Sequence, residues 1–275
     1  MHYIKQGLGS AKRQIAVAIL LFLYQLLWGV FLYRIVDSVI APALRRYPES
    51  EVGQLSRLLY LIEGQHELQT SSDVKLVLGL IAGMFLFRLI LTPLIRAGIY
   101  NGLLGEADEE GAGWLFFQGM RKCWKPVAIL YAIELLLILI PSIWLLPELY
   151  SLLPGLLQGT TGAMLKFGVI LASLGIWSYL VKQGLLYVTF GWLSQTGIAP
   201  SLMQYVRKLP AVLAVSCILG AAALLAAGMF STAAWIWTGL IGLILQQSYP
   251  FIRSFFRIWS VSSQYHLWKK SYQKN

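Results

Sequence analysis

Long apolar runs separated by short polar segments make up most of the chain. A helix needs about 20 apolar residues to cross the hydrocarbon core of a bilayer, and several runs reach that length. The stretch from Leu209 to Ile252 carries no charged residue and would be about 66 Å long as one helix, so we expect it to fold back near Met229 to Ala233. The predicted spans are Ile15–Ile40, Val74–Ile99, Pro126–Leu146, Leu165–Trp192 and two more within Leu209–Ile252.

This pattern predicts an all-α, polytopic helical membrane protein with six transmembrane helices, in which residues 1–275 form a single integral membrane domain. The composition is 57% hydrophobic and only 12% charged, far from the usage of soluble proteins. The net charge is +10, and the basic residues mostly flank the apolar runs. Because this distribution suits anionic lipid headgroups, we expect membrane lipids as partners and no nucleic acid.

The basic residues also predict the orientation of the chain. Short loops rich in Lys and Arg stay on the cytoplasmic side of a membrane, and both ends of the chain are basic in a six-span arrangement. The sequence therefore predicts a multi-pass protein of the plasma membrane with cytoplasmic N- and C-termini.

Two polar segments outside the spans have their own patterns. Residues 42–73 would form an extracytoplasmic loop, and its apolar residues recur at helical spacing, which predicts an amphipathic helix. Residues 257–275 would form a cytoplasmic amphipathic tail. Trp259, Tyr265 and Trp268 alternate there with basic residues, as is typical of an interfacial anchor.

The middle of the chain contains two similar stretches. A shift of about 86 positions superposes a span, a cation, a glycine, a polar loop and a dibasic pair, and a slip of about two residues then superposes Pro126 on Pro210. The order predicts two similar hairpins, spans 2 with 3 and spans 4 with 5. We expect the repeated residues at the inner interface: Arg96, Gly98, Arg121 and Lys122 in the first hairpin, and Gly184, Arg207 and Lys208 in the second. The loop from Gly111 to Lys125 is expected to include a short amphipathic helix.

Charged residues inside spans are costly, so they are candidate functional residues. Three lie deep in predicted spans: Arg88, Glu134 and Lys182. We expect Glu134 to pair with Lys182 or Arg88, and we favour a structural ion pair over a proton or substrate site.

Catalytic and metal-binding patterns are missing from the sequence. The three histidines lie outside the spans and far apart, and Cys123 and Cys217 have no neighbour at metal or redox spacing. Glu109-Glu110 lacks the following arginine of intramembrane CAAX-type proteases, and no nucleophile elbow or phosphate-binding loop is present. We therefore expect no enzyme activity, no catalytic residues, no metal and no cofactor.

The order of span, cation, Ala-Gly, polar loop, aromatic-basic segment and span, from about Arg88 to Ala211, resembles the membrane domain associated with bacterial glycerophosphoryl diester phosphodiesterases and with related uncharacterised multi-span membrane proteins. The phosphodiesterase activity belongs to a separate soluble domain for which this chain has no room, so the resemblance implies only the membrane part.

These observations support one main hypothesis and two alternatives. The first is a non-enzymatic plasma-membrane protein, permease-like or an accessory protein, that handles lipid or another amphiphile at the cell envelope. The second is the membrane subunit of an ABC-type exporter, in which the segment from Gly111 to Lys125 contacts a cytoplasmic ATPase. The third is an envelope sensor that uses the loop at residues 42–73.

Overall fold

The computed structural model describes residues 2–40, 72–105, 111–237 and 239–272, and these are helical apart from short connecting turns. The predicted extracytoplasmic loop helix lies outside the described residues, as does the polar loop at 106–110. A short π-helical turn over Val36–Ile40 follows α2. The helices are α1 (His2–Arg13), α2 (Ile15–Ile35), α3 (Ser72–Leu104), α4 (Ala112–Lys122), α5 (Trp124–Leu157), α6 (Thr161–Leu193), α7 (Ile198–Arg207), α8 (Leu209–Ile236) and α9 (Leu240–Tyr272).

Five of these helices are long and apolar enough to cross a membrane. The described part of the chain is therefore helical and has the features of a multi-pass membrane protein, as the apolar runs predicted. The candidate membrane spans are Ile15–Ser38, Leu78–Leu104, Trp124–Leu156, Thr161–Leu193 and Leu209–Ile236.

The predicted fold-back near Met229 to Ala233 is wrong, because α8 continues to Ile236. No helix-breaking residue occurs at 229–233, and the Thr232 hydroxyl donates a hydrogen bond to the Gly228 carbonyl within the helix. The reversal comes after Trp237, where Gly239 has φ +91°, a left-handed conformation that glycine adopts without strain. The turn therefore forms where the glycine allows it.

The helix ends also differ from the predicted spans. The second span was expected to end at Ile99, but α3 extends to Leu104. The third was expected to end at Leu146, but α5 continues through Pro147 and Pro154 to Leu157. Proline is tolerated inside membrane helices, so these residues do not end α5.

The chain divides into two compact units, residues 19–92 and residues 1–18 with 93–275. In the smaller unit, Trp28 of α2 packs against Phe87 of α3, with ring centroids 6.3 Å apart. The larger unit contains α1, the end of α3 and helices α4 to α9, and it holds the candidate site. That the whole chain forms one membrane domain stays a prediction.

Within the larger unit, each long helix is buried in protein at one end and exposed at the other. The buried ends form what we call the packed end: residues 95–103 of α3, 127–134 of α5, 184–191 of α6, 212–219 of α8 and 258–268 of α9. Beyond it, large apolar side chains are exposed along the helices, among them Leu136, Ile140 and Trp144 of α5, Leu165, Val169 and Ile176 of α6, and Leu224, Met229 and Trp235 of α8. Such a surface is suited to the hydrocarbon of a bilayer rather than to water.

The first helix packs along the second half of the last one. The backbones approach so closely at Gly7 that a Cβ atom there would lie 2.7 Å from the Ser263 nitrogen. The Trp259 indole donates a hydrogen bond to the Ile4 carbonyl at 2.9 Å, and Ser10 hydrogen-bonds His266 at 2.8 Å. Small residues on both helices allow this close approach.

Much of the described part of the tail that was expected to anchor at the membrane surface, residues 258–268, is therefore buried in the protein. It continues α9 without a break, and Tyr265 and Trp268 are only 5% and 4% exposed. The interfacial-anchor prediction is wrong for these two residues, because the tail packs on α1 and against other helices of the unit.

Candidate functional site

A buried ion pair joins α3 to α5. Arg96 donates from Nη1 to Oε2 of Glu134 and from Nη2 to Oε1 at 3.2 Å, so both carboxylate oxygens are engaged. Glu134 is 4% exposed. The planar guanidinium matches the two oxygens of a carboxylate, and this geometry makes the pair one of the stronger kinds of ionic contact.

Aromatic and aliphatic groups surround this pair. The Arg96 guanidinium carbon lies 4.9 Å from the centroid of the Tyr131 ring, within cation–π distance. Tyr100, one turn further along α3, is 7% exposed. An ionised carboxylate is stable in such surroundings only with a charged partner, which Arg96 supplies.

A small cavity adjoins the pair. Its volume of about 20 Å³ is room for a single water molecule rather than for a substrate. Residues of α3, α5 and α6 line it, and they combine charged, hydroxyl and apolar groups: Arg96, Tyr100, Val127, Leu130, Tyr131, Glu134, Lys182, Leu185, Leu186 and Thr189.

The structure brings two of the three predicted intramembrane charges together at this cavity. Lys182 lines it beside Glu134, and its side chain is exposed. Glu134 was expected to pair with Lys182 or Arg88, and this is wrong because its carboxylate is engaged by Arg96. Arg88 belongs to the smaller unit, where its guanidinium lies 5.9 Å from the centroid of the Trp28 ring.

The predicted inner-interface glycines lie where the short helices pack. A Cβ at Gly98 of α3 would lie 2.6 Å from the Phe116 ring of α4, which is 1% exposed. A Cβ at Gly184 of α6 would be 3.3 Å from the Tyr205 ring of α7. Both glycines thus make room for an aromatic ring from the following short helix.

The predicted dibasic pairs lie at the C-terminal ends of the same short helices. Arg121 and Lys122 end α4, and Arg207 ends α7 with Lys208 directly after it. Cations at this end of a helix interact favourably with its dipole. The amphipathic helix expected between Gly111 and Lys125 is present as α4, and α7 is a second short helix with basic residues at its C-terminal end.

Sequence reasoning missed a polar network inside the packed end. Gln264 is fully buried; it accepts a hydrogen bond from the Tyr187 hydroxyl at 2.9 Å and donates to the Ser216 hydroxyl at 2.9 Å and the Val212 carbonyl at 3.1 Å. It therefore links α6, α8 and α9. The signal in the sequence was that Ser254, Ile258 and Ser262 follow one another at four-residue spacing, so they lie on one face of a helix, and small residues on such a face indicate close packing.

Beside this network, Phe190 of α6 is fully buried at the centre of an aromatic cluster. Its ring lies 5.8 Å from Tyr100, 5.4 Å from Tyr265 and 6.0 Å from Trp268, measured between centroids. The cluster thus joins α3, α6 and α9. Its member Tyr100 lies one turn from Arg96 on α3 and lines the cavity.

Chemically, the site can neutralise a buried carboxylate and present a lysine at its opening. Among the described residues, no group of three or more His, Cys, Asp or Glu side chains could hold a metal ion. In comparisons with known proteins, no protein-family model, no curated protein and no solved structure matches the chain.

Proposed function

We propose that the chain is a non-enzymatic, permease-like protein of the plasma membrane that handles a lipid or another amphiphile. The observation that supports this best is the position of Lys182, an exposed cation on the cavity at the point where the exposed apolar part of α6 meets the packed end. An amphiphile has the matching parts: a polar head for the charged opening and an apolar tail for the surface from Met164 to Trp177.

The proposal includes a six-span topology with α9 as the sixth crossing. If the five apolar helices each cross once, the chain reaches α9 on the side opposite α1. Yet residues 259–266 of α9 contact residues 4–10 of α1, so α9 must return across the membrane to reach them. The helix α9 is not among the five that are apolar enough to cross a membrane, because Arg253 and Arg257 lower its mean hydropathy.

Both termini are then on one side, and the basic residues of α1, α4, α7 and the end of α9 favour the cytoplasm for that side. The two proposed hairpins, α3-α4-α5 and α6-α7-α8, have the same order of long helix, short helix and long helix. We propose an internal duplication on this basis. Its resemblance to the membrane domain associated with glycerophosphoryl diester phosphodiesterases remains part of this proposal.

Reconstitution into vesicles tests the function. The purified protein is incorporated with a fluorescent phospholipid in both leaflets, and a membrane-impermeant quencher then measures how fast the inner-leaflet fraction becomes accessible. We expect faster exchange between leaflets than in protein-free vesicles. Exchange at the protein-free rate, together with no lipid retained through purification, would refute handling of phospholipids.

Exposed aromatic residues on α4 favour an exporter subunit as the second candidate. Trp114 is 75% exposed and Phe117 is 54% exposed, next to the basic end of the helix. An ATPase that docks there would co-purify with the wild-type protein and be lost from a Trp114→Ala, Phe117→Ala double variant. The absence of any co-purifying ATPase would leave the first proposal as the better one.

A further inference from the structure

The candidate site has more positive than negative charge. Arg96 and Lys182 line the cavity with Glu134, and Arg257 of α9 lies within electrostatic range of Arg96, Tyr100 and Glu134. Glu134 is the only acid in this group, and Arg96 already engages both of its oxygens. Lys182 and Arg257 are therefore left without a carboxylate from this cluster.

The two uncompensated cations have exposed side chains. Both cations neighbour Arg96, because Lys182 lines the same cavity and Arg257 lies within electrostatic range of it. Like charges at the edge of a low-dielectric region repel, and a bound anion lowers the free energy of such a site. Lysine supplies a point charge and arginine a planar fork of N–H donors, and both groups are suited to the oxygens of a phosphate.

The depth of the cluster suggests where such a phosphate comes from. The 33 residues of α6 are about 50 Å long, and the hydrocarbon core is about 30 Å thick, so some 20 Å of the helix extends beyond it. About 20 residues counted from Thr161 reach the turn that contains Lys182. The cluster thus lies near the boundary of the hydrocarbon, at the level of the lipid headgroups.

The course of α6 points to an occupant with an apolar tail. On one side of Lys182, Met164, Leu165, Val169, Leu171, Ile176 and Trp177 are exposed; on the other, residues 184–191 are mostly buried in protein. A soluble anion would use only the charged end of this surface. A phospholipid would use the whole of it.

We propose that Lys182 and Arg257, beside the Arg96–Glu134 pair, bind the phosphate of an anionic phospholipid whose acyl chains lie along the exposed apolar part of α6. The inference rests on the proposed handling of amphiphiles and names the headgroup and the residues that recognise it. The cavity accommodates one water molecule at most, so the phosphate binds at the opening rather than inside it.

Binding to the purified full-length protein tests the inference. Native mass spectrometry counts bound phosphatidylglycerol and phosphatidylcholine in detergent, with the variants Lys182→Gln, Lys182→Arg and Arg257→Gln. Lys166→Gln is the matched control, because Lys166 is exposed on the same helix about 24 Å away. Thermal unfolding of each variant shows that it is folded.

We expect phosphatidylglycerol to bind better than phosphatidylcholine. Lys182→Gln and Arg257→Gln should each weaken phosphatidylglycerol binding by about threefold to tenfold, while Lys182→Arg retains it and Lys166→Gln matches the wild type. Equal binding by wild type and both Gln variants would overturn the inference, as would an equal loss in Lys166→Gln.

Inorganic phosphate distinguishes the two sources of the anion. If it competes with phosphatidylglycerol and also binds alone in a Lys182-dependent way, the site belongs to a soluble phosphate and the lipid assignment fails. The outcome is separate from that of the vesicle assay: lipid exchange without charge-dependent binding refutes only the headgroup site, and charge-dependent binding without exchange refutes only the permease-like function.

Discussion

At the scale of single residues, the Arg96–Glu134 pair is a contact whose loss is costly. Its carboxylate is nearly inaccessible, and the guanidinium engages both of its oxygens. Removing one partner of a buried pair leaves the other charge without compensation, and this typically costs about 3 to 5 kcal/mol. The pair therefore fixes how the ends of α3 and α5 lie against each other.

Glu134→Gln should lower the melting temperature of the protein by a few degrees or more, because it leaves the Arg96 guanidinium without its carboxylate partner. Lys166→Gln serves as the control, because an exposed lysine contributes little and its loss should change the melting temperature hardly at all. A double variant, Arg96→Met with Glu134→Leu, removes both charges and should recover part of the loss. Equal melting temperatures for Glu134→Gln and the wild type would show that the pair contributes nothing.

Sequence reasoning identified the buried acid but not its partner. Glu134 and Lys182 were selected because charges inside apolar runs are costly, and both line the cavity. Arg96 was assigned to the helix end because the span was expected to stop at Ile99. Since α3 continues to Leu104, Arg96 lies about two turns inside the helix and faces Glu134. A few residues of helix extension therefore changed the partner, and apolar composition alone does not fix where a helix ends.

At the scale of helices, glycines set the positions of the short and terminal helices. Gly7 allows α1 to contact the backbone of α9, and Gly191 allows α7 to contact α6. Gly7 is visible in the sequence only as a glycine, because α9, the helix that requires it, is distant along the chain. The pairing of α1 with α9 was for this reason not predicted.

Gly7→Ala should destabilise the protein, since the added Cβ would overlap Ser263, including its backbone nitrogen; overpacking of this kind costs about 1 to 3 kcal/mol. Gly9→Ala is the matched control in the same helix, with no atom near the new Cβ, and should be neutral or slightly stabilising. Thermal unfolding in detergent compares the two. A Gly7→Ala protein as stable as Gly9→Ala would contradict the close packing of α1 on α9.

Gly191→Ala tests the docking of α7 in the same way. The new Cβ would overlap the Ser201 side chain and the Gly197 carbonyl, so α7 must shift or separate from α6. We expect faster proteolysis within residues 194–208 than in the wild type. Gly168→Ala, on the same helix with open space around it, should cleave at the wild-type rate.

At the scale of the whole molecule, the number of membrane crossings and the side of each loop decide which leaflet the candidate site faces. The apolar runs predicted a multi-pass helical protein correctly, because about 20 apolar residues in a row leave the chain few alternatives. The sixth crossing and the orientation are proposals that depend on the contact between α1 and α9 and on the basic residues. They place the cations of the site at the inner leaflet.

Cys123 reports the orientation. It lies between α4 and α5, and burial raises the pKa of its thiol although the nearby Lys122 lowers it. In a Cys217→Ser background, an impermeant maleimide should label it in inside-out vesicles but not in intact cells. Because the pKa is raised, the reactive thiolate is scarcer at any given pH, and labelling should be slow near neutral pH and keep rising with pH beyond the range of an ordinary thiol. Labelling in intact cells would reverse the proposed topology.

The pairing of α1 with α9 has a consequence for how the protein is made. Ile4 and Trp259 are hydrogen-bonded although they lie 255 residues apart in the sequence. The ribosome delivers α1 before α9, so the partner surface of α1 emerges only after the helices between them have been synthesised. Until α9 has been made, the side of α1 that carries Gly7 has no helix to pack against. A nascent chain that stalls before α9 therefore leaves this surface exposed to proteases.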